Sequence, residues 1–458
     1  MSLSDMKELG SSGLNRQGGI VYEEYLRELQ GSRWFDTVRE MQDHPIVAAM
    51  LYLVEMQVRQ VIWPVKPANE SKAAVKWADH VESCFGDMSF TWADTMSDVV
   101  TFFPYGFAAL ELVYKIRGGQ TGKAETDSRY DDGLIGWRQW VNRPQDTISW
   151  QFDAHGGIQG IVQNDPYAIP AAKEVTIPID KLLLFRTTTG GKNNPEGRSV
   201  LRPAYSSFYM AQNLARVQAI FYERLNGVPW ARVPSQVLSS TATVAQQNIL
   251  TEMKKIVVNL RIDEQAGLVT PSDRDENGNL YYDLELLRAD TSAGYDIEAT
   301  IIRNERRILM TMLAGAIMLG HDGVGSNALG ATNMDMFWTG VDASVGSIAE
   351  VINRHAIPKL MRLNSVKPEL WPTVVPGSVE RVDLDKLGQY VVRLAGSGFD
   401  LTDPELQKYV LRQANMPVSN NLEKGIVVRP PVAGAAADAG GSAIAATKQR
   451  NTQGEGKN

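Results

Sequence analysis

Apolar side chains recur at spacings of three and four along much of this chain, and the places where that period fails mark its organisation. Residues 43–60 predict a helix, with Asp43 as N-cap, Pro45 in the first turn, and Ile46, Met50, Leu53 and Val54 along one face. A strand-like exit follows at 61–66. Two more amphipathic helices are expected at about 71–85 and 91–103, the second stopped by Pro104 and Gly106. From Phe107 to Arg186 the period shortens towards two, with runs at 110–116, 147–152, 158–163 and 181–186 that predict a β-rich region. The glycines in Asp153-Ala-His-Gly-Gly157 suit a hairpin between two of those strands.

A long helix is announced by Pro203 near its start and carries Tyr205, Phe208, Leu214, Val217, Phe221 and Leu225 as a stripe ending before Gly227. About 22 residues rising 1.5 Å each make a rod of roughly 33 Å. Residues 228–290 read as a compact insertion: strand, helix (243–260), strand, turn (276–279) and strand. A second long helix follows, with Asp296 as N-cap and Ile297, Ile301, Ile308, Met312, Leu313 and Ile317 as its stripe; Gly320 sits where a C′ glycine belongs. The small, polar, Gly-rich segment 320–332 predicts a mobile loop. Another helix is expected from near Asn333 with Trp338, Val341, Val345, Ile348 and Ile352 on one face, and Gly340 and Gly346 inside it permit a bend. Two shorter helices are expected at about 383–395 and 404–413. Residues 1–19 read as a flexible arm, and the Ala/Gly/Ser composition beyond 431 predicts a disordered tail.

Composition narrows the class. At 458 residues, 43% hydrophobic and 22% charged, the chain is globular and long enough for roughly three structural units. A net charge of −7 and the lack of any Lys/Arg block argue against tight wrapping of nucleic acid. The single cysteine, Cys84, excludes an internal disulfide. The longest apolar run, 309–319, falls well short of the roughly 20 residues a bilayer requires, and residues 1–19 lack the apolar core of a secretory signal, so no membrane association is expected.

Candidate chemistry is sparse. Asp273-Arg-Asp-Glu-Asn-Gly278 imitates the first half of a calcium loop, but Leu284 stands where the bidentate Glu belongs, which leaves a hairpin turn. His44, His80, His155, His321 and His355 are scattered, with no nucleophile elbow beside any of them; His44 at a helix start, His155 in a turn and His355 on a helix face read as surface or capping groups. Segment 323–330 lacks the Gly-Lys-Ser/Thr ending of a phosphate loop. The ten tryptophans are not interleaved with Lys or Arg, so packing explains them better than base stacking. Arg303, Arg306 and Arg307 share their helix with Glu298 and Glu305 and suit a solvated or inter-subunit face. No catalytic residue, cofactor or metal ligand is assigned.

Asp43-His-Pro-Ile-Val-Ala-Ala-Met50, with its Trp-Pro-Val exit, and Asn194-Pro-Glu-Gly-Arg-Ser-Val-Leu-Arg-Pro-Ala-Tyr205 resemble phrases of tailed-bacteriophage portal proteins, and so does the order of elements over most of the chain. The resemblance implies an α+β, portal-type subunit. Its parts would be a mixed α/β wing (20–202), a two-helix stem (203–227 and 291–319), a small α/β clip (228–290), a tunnel loop (320–332), a bent helix returning to the wing (333–382) and a helical crown (383–430). It further implies a non-enzymatic, homo-oligomeric ring, normally a dodecamer, at one vertex of the virion capsid, through which double-stranded DNA is packaged and ejected. A terminase large subunit and later a head-tail adaptor protein would dock on the clip, and the major capsid protein on the wing. Another virion structural protein, a capsid or baseplate subunit, is the rival reading.

Two amphipathic rods cannot bury both stripes alone, so Phe208, Val217, Phe221, Ile301, Ile308 and Met312 are expected to pack between subunits. Head-to-tail contacts that close make a ring, in which each side chain becomes a belt. A belt of Lys or Arg would neutralise many phosphates together and hold DNA fast. Segment 320–333 carries His321, Asp322, Ser326, Asn327, Thr332 and Asn333 but no Lys or Arg, and these six are the expected DNA-channel residues.

Overall fold

The computed structural model describes residues 10–123, 126–165, 173–188, 190–223, 228–259, 272–287 apart from 275, 277 and 279, 297–311, 327–379, 384–396, 407 and 411. The chain divides into two units, 1–379 and 380–458. The elements of the first begin with a small hairpin, β1 (Arg16–Gln17) and β2 (Ile20–Val21), followed by α1 (Ser32–Gln42), α2 (Pro45–Gln60), β3 (Val65–Lys66), α3 (Lys72–Gly86), α4 (Trp92–Val100) and α5 (Phe102–Tyr105). Ser71 and Thr91 cap α3 and α4 through their hydroxyls, accepting from the Ala74 and Asp94 amides at 3.2 and 3.1 Å. The expected cap at Asp43 is not formed. An additional helix, α1, runs up to Asp43, and His44 occupies the N-cap of α2 without a side-chain bond. Residues 10–19, expected as a loose arm, also pack on the molecule.

The β-rich region comprises β4 (Phe107–Gly118), β5 (Asp131–Arg143), β6 (Ile148–Phe152), β7 (Ile158–Asp165), β8 (Lys173–Pro178) and β9 (Leu182–Arg186). They form two antiparallel sheets, β5-β4-β9 and β6-β7-β8. The β6–β7 hairpin is the one expected; Asp153 Oδ1 holds its turn by accepting from the His155 and Gly157 amides at 2.9 and 2.7 Å. A register shift between Val113 and Tyr114 divides β4. Beyond it Lys115 and Arg117 face inward, while Ile116 is exposed.

Next come α6 (Tyr205–Glu223), β10 (Val228–Arg232), α7 (Val244–Asn259), β11 (Asp283–Leu287) and α8 (Ile297–Thr311). The insertion has the anticipated helix. Thr243 and Gln246 form a capping box at its start, the Gln246 carbonyl accepting from the Thr243 amide at 2.9 Å. β10 pairs antiparallel with β11, and Arg274 bridges Leu280 across the turn that imitates a calcium loop. The middle strand of the insertion, Met312, Leu313 and Ile317 lie outside the described residues.

α9 (Asn327–Val351) begins earlier than Asn333, so 327–332 are helical where a loop was expected. It runs unbroken through Gly340 and Gly346. The irregularity falls instead on a π turn, Ile352–Ala356, leading into α10 (Ile357–Leu363). Pro358 has no amide to donate, and the widened turn just before it accommodates the missing bond. β12 (Thr373–Val374) pairs with β3, and on its other side the Asn353 side chain accepts from the Val374 amide at 2.7 Å and donates to the Val374 carbonyl at 2.8 Å. One apolar core joins the helices and the larger sheet to α6 and α8 through Met41, Met50, Leu110, Trp137, Phe208 and Ile308; a smaller core under the second sheet contains Leu14, Val21, Trp150 and Ile161. The second unit contributes α11 (Leu384–Gly396), near the expected 383–395. The helix expected at 404–413 and the tail lie outside the described residues, save Gln407 and Leu411.

Candidate functional site

The geometry that matters is built where the β-rich region hands over to α6, in the segment Asn194 to Tyr205. Asn194 shapes its first turn, accepting from the Glu196 amide at 2.9 Å and donating to the Gly197 carbonyl at 3.3 Å. Gly197 and Gly106, both at positive φ, press backbone to backbone. A Cβ on Gly197 would stand 2.3 Å from the Gly106 carbonyl, and one on Gly106 would stand 2.4 Å from the Glu196 carbonyl. Thr187 Oγ accepts from the Arg198 amide, and Ser199 Oγ accepts from the Leu201 amide. Arg202 pairs with Glu24 at 2.6 Å, Pro203 sits in a 3-10 turn, and α6 leaves the knuckle in a fixed direction.

α6 and α8 run side by side and flank the β10–α7–β11 insertion. Phe208 and Ile308 are buried inside the protomer, so neither is free for a neighbour; Ile301 is half-buried and Val217 is 51% exposed. The outward faces carry further large apolar groups, Tyr209, Met210, Ile220 and Met310, along with exposed Arg303, Arg306 and Arg307. The side chains of Phe221 and Met312 lie outside the described residues, as do His321, Asp322 and Ser326. Asn327, Thr332 and Asn333 fall on the first turns of α9. From Asn327 to Val351 that helix has no Lys or Arg. Thr339, Ser344 and Ser347 turn their hydroxyls back to carbonyls four residues earlier, at 2.7, 2.9 and 3.1 Å.

Two buried polar groupings escaped the sequence reading. Lys115 reaches Asp87 at 3.1 Å with both side chains 3% exposed, and Asp87 also accepts from Ser128 Oγ and the Arg129 amide. Burial opposes ionisation of Asp87, but the Arg129 amide, Ser128 and Lys115 together hold its carboxyl below the usual range. Beside it Arg117 pairs with Asp132 at 3.0 Å, donates to Ser83 and contacts His80 Nδ1 at 3.0 Å. Burial and the adjacent Arg117 lower the His80 pKa, and its side chain is buried in the core, whereas His44 is half-buried and His155 and His355 are exposed. Burial pushes the Cys84 thiol up to about 11, far from a reactive thiolate. The signal for this cluster was Lys-Ile-Arg at 115–117, two cations at strand spacing.

The second is Glu196, whose carboxyl burial pushes up to about 7. It adjoins Glu23, held low first by the Asn15 amide. Two carboxyls driven apart are what acid–base catalysis uses. The cavity they line, however, has about 60 Å³, room for a few waters and far below a substrate pocket. Most of the tryptophans pack as anticipated, Trp230 being exposed: Trp137 lies 5.3 Å from Trp140, edge to face, and Trp92 meets Phe85 at 4.2 Å with the rings tilted by 40°. No helix among the described residues is long and apolar enough to cross a membrane.

The sequence profile of a family described as the portal protein of Mu bacteriophage matches residues 35–412. No curated protein matches the sequence. Among solved structures, a chain in the neck of an empty gene transfer agent particle, computed with C6 symmetry, is similar in fold (TM-score 0.54, 12% identity), covering 89% of this chain and 97% of that one. A chain in the neck of the native particle, computed with C12 symmetry, gives a TM-score of 0.52 at 11% identity over 84% of this chain and 94% of that one. A chain in the virion of the native particle gives 0.51 at 11% identity over the same shares.

Proposed function

The chain belongs to the portal protein family of Mu bacteriophage, and from that premise we propose that copies of it close into a ring, normally of twelve, at one capsid vertex. The family is a structural one and its place is the virion. The observation that carries the ring is the stem. α6 and α8 pair with each other yet turn Tyr209, Met210, Val217, Ile220 and Met310 outward, an apolar surface that a second copy would cover. In this reading the inter-subunit role expected of Phe208 and Ile308 passes to those residues, with Val217 and Ile301 retained. The mapping of wing, stem, clip, tunnel segment and crown stands as set out from the sequence, the tunnel segment now running into the first turns of α9.

The bore would pass double-stranded DNA without sequence preference during packaging and ejection. His321, Asp322, Ser326, Asn327, Thr332 and Asn333 would line it, and the absence of Lys and Arg from α9 supports a passage that does not hold phosphates. The energy would come from a terminase large subunit docked on the β10–α7–β11 clip, later exchanged for a head-tail adaptor, while the wing would meet the major capsid protein. Assembly would take place in the host cytoplasm. The similar chains lie in particle necks computed with C12 and C6 symmetry, which accords with a ring. Negative-stain imaging of the purified protein tests this: rings with an axial hole are expected, and compact monomers at every concentration examined would overturn it.

A further inference from the structure

In a chain of net charge −7, residues 351–368 contain no Asp or Glu, while Arg354, His355, Lys359, Arg362 and Lys367 fall within that span. The π turn Ile352–Ala356 and α10 turn the first four of these outward. Ile352, Ala356, Ile357, Leu360 and Met361 are buried and Asn353 is engaged by β12, which leaves Arg354, His355, Pro358, Lys359 and Arg362 as the outer face. Arg354, His355 and Arg362 are exposed and Lys359 is half-buried. Arg186, at the end of β9, adds a further cation. Burial, then the charges of Lys359, Arg354 and Arg186, depress the His355 pKa, so three cations act on one imidazole.

Two of these cations are fixed in place without a counter-ion. Lys359 Nζ donates to the Ile179 and Leu182 carbonyls at 3.4 and 3.1 Å, and Arg186 donates to the Asn193 side chain and the Asn194 carbonyl at 3.0 and 3.2 Å. Both are half-buried, and among the described residues neither forms an ion pair; Asp180 is the acid whose charge reaches Lys359, with Arg362 opposing it. Elsewhere such cations are paired, Lys115 with Asp87, Arg117 with Asp132, Arg143 with Glu111 and Arg202 with Glu24. The fold thus concentrates positive charge here and leaves its neutralisation to something outside the protomer. A protein partner is held by apolar and aromatic groups at the centre of the contact, and from Arg354 to Arg362 this face exposes none; Leu363 lies past its end. A nucleic-acid backbone is held by cations without any apolar anchor. About 12 Å of helix separates Arg354 from Arg362, a length over which duplex DNA carries roughly seven phosphates. We propose that the outer face of the π turn and α10, with Arg186, binds the phosphate backbone of duplex DNA without sequence preference, at a surface separate from segment 320–333. The choice of duplex DNA rests on the portal reading, but the surface belongs to one protomer and needs no ring.

Fluorescence anisotropy of a short labelled duplex with the full-length protein tests this. Two unrelated sequences should bind alike, and raising salt from about 50 to about 200 mM should weaken binding roughly hundredfold, as about four neutralised phosphates require. Arg354→Ser combined with Arg362→Ser should bind more weakly at the lower salt and lose only roughly tenfold over the same range. Lys72→Ser combined with Lys76→Ser, which removes two exposed cations of α3, should behave as wild type, and polyglutamate should compete far less well than unlabelled duplex. No binding by wild type, an unchanged salt response in R354S/R362S, an equal loss in K72S/K76S, or polyglutamate competing as well as duplex would each overturn the proposal, the last in favour of an acidic protein partner. Ring imaging is independent of all four outcomes. Should R354S/R362S fail to fold, photo-cross-linking of a bromouracil-substituted duplex to the wild type decides: adducts within residues 352–363 are expected, and adducts confined to other segments reject the surface.

Discussion

On the inner side of β4, Lys115 and Arg117 turn towards Asp87, Asp132, Ser83 and His80, and the aromatic cluster of Phe85, Trp92, Trp137 and Trp140 fills the space beside them. On α6 and α8 the arrangement is reversed. Val217, Ile220 and Met310 face outward, and Arg303 and Arg307 stand exposed. The first region pairs both of its cations within one protomer, although Arg117 Nε and the indole N–H groups of Trp92, Trp137 and Trp140 are buried without a hydrogen-bond partner. The second buries only one side of each helix and leaves an apolar surface exposed, the surface assigned above to a neighbouring copy.

The contrast is broken most severely from beneath β4. Lys115→Met leaves Asp87 buried and unpaired, which should cost about 3–5 kcal/mol in denaturant unfolding; a loss below about 1 kcal/mol would show that the fold around β4 does not depend on this pair. Gly197→Ala adds a methyl 2.3 Å from the Gly106 carbonyl at a positive φ, and a loss of about 2–3 kcal/mol is expected, with α6 mis-aimed. An unfolding midpoint equal to wild type would mean that the knuckle relaxes freely. The smallest change in stability with the largest consequence belongs to α6. Val217→Asp should alter protomer stability by no more than about 0.5 kcal/mol while abolishing rings in light scattering and imaging, and rings in normal yield would erase the distinction between the regions.

Much of the frame was legible in the residues. Ser71, Thr91 and the Thr243/Gln246 box announce helices that form where they should, because capping is local chemistry needing only neighbours three residues away. The second long helix, α8, begins at Ile297, where its stripe begins. What could not be read depends on contacts far apart in sequence. The register shift in β4 reverses which residues face inward, so Ile116 passes for core and Lys115 for surface until Asp87 is brought opposite. Phe208 and Ile308 were expected between subunits, but both belong to the main core of the protomer. Glu196 gave no signal, because its environment is assembled from residues near 21, 150 and 197. The channel residues were chosen by composition, and only Asn327, Thr332 and Asn333 among them received a described backbone, in a helix.

Asn353 has a consequence for the ring proposed above. Its amide occupies both hydrogen-bonding groups of Val374 on the side of β12 that β3 leaves open. A side chain there plays the part of one more peptide unit, and the ribbon terminates. An unblocked margin would invite another chain's backbone to zip on in whatever alignment it arrived. With that margin sealed, recognition between copies in such a ring would be left to side-chain shape and charge, which can specify one orientation and reject the rest.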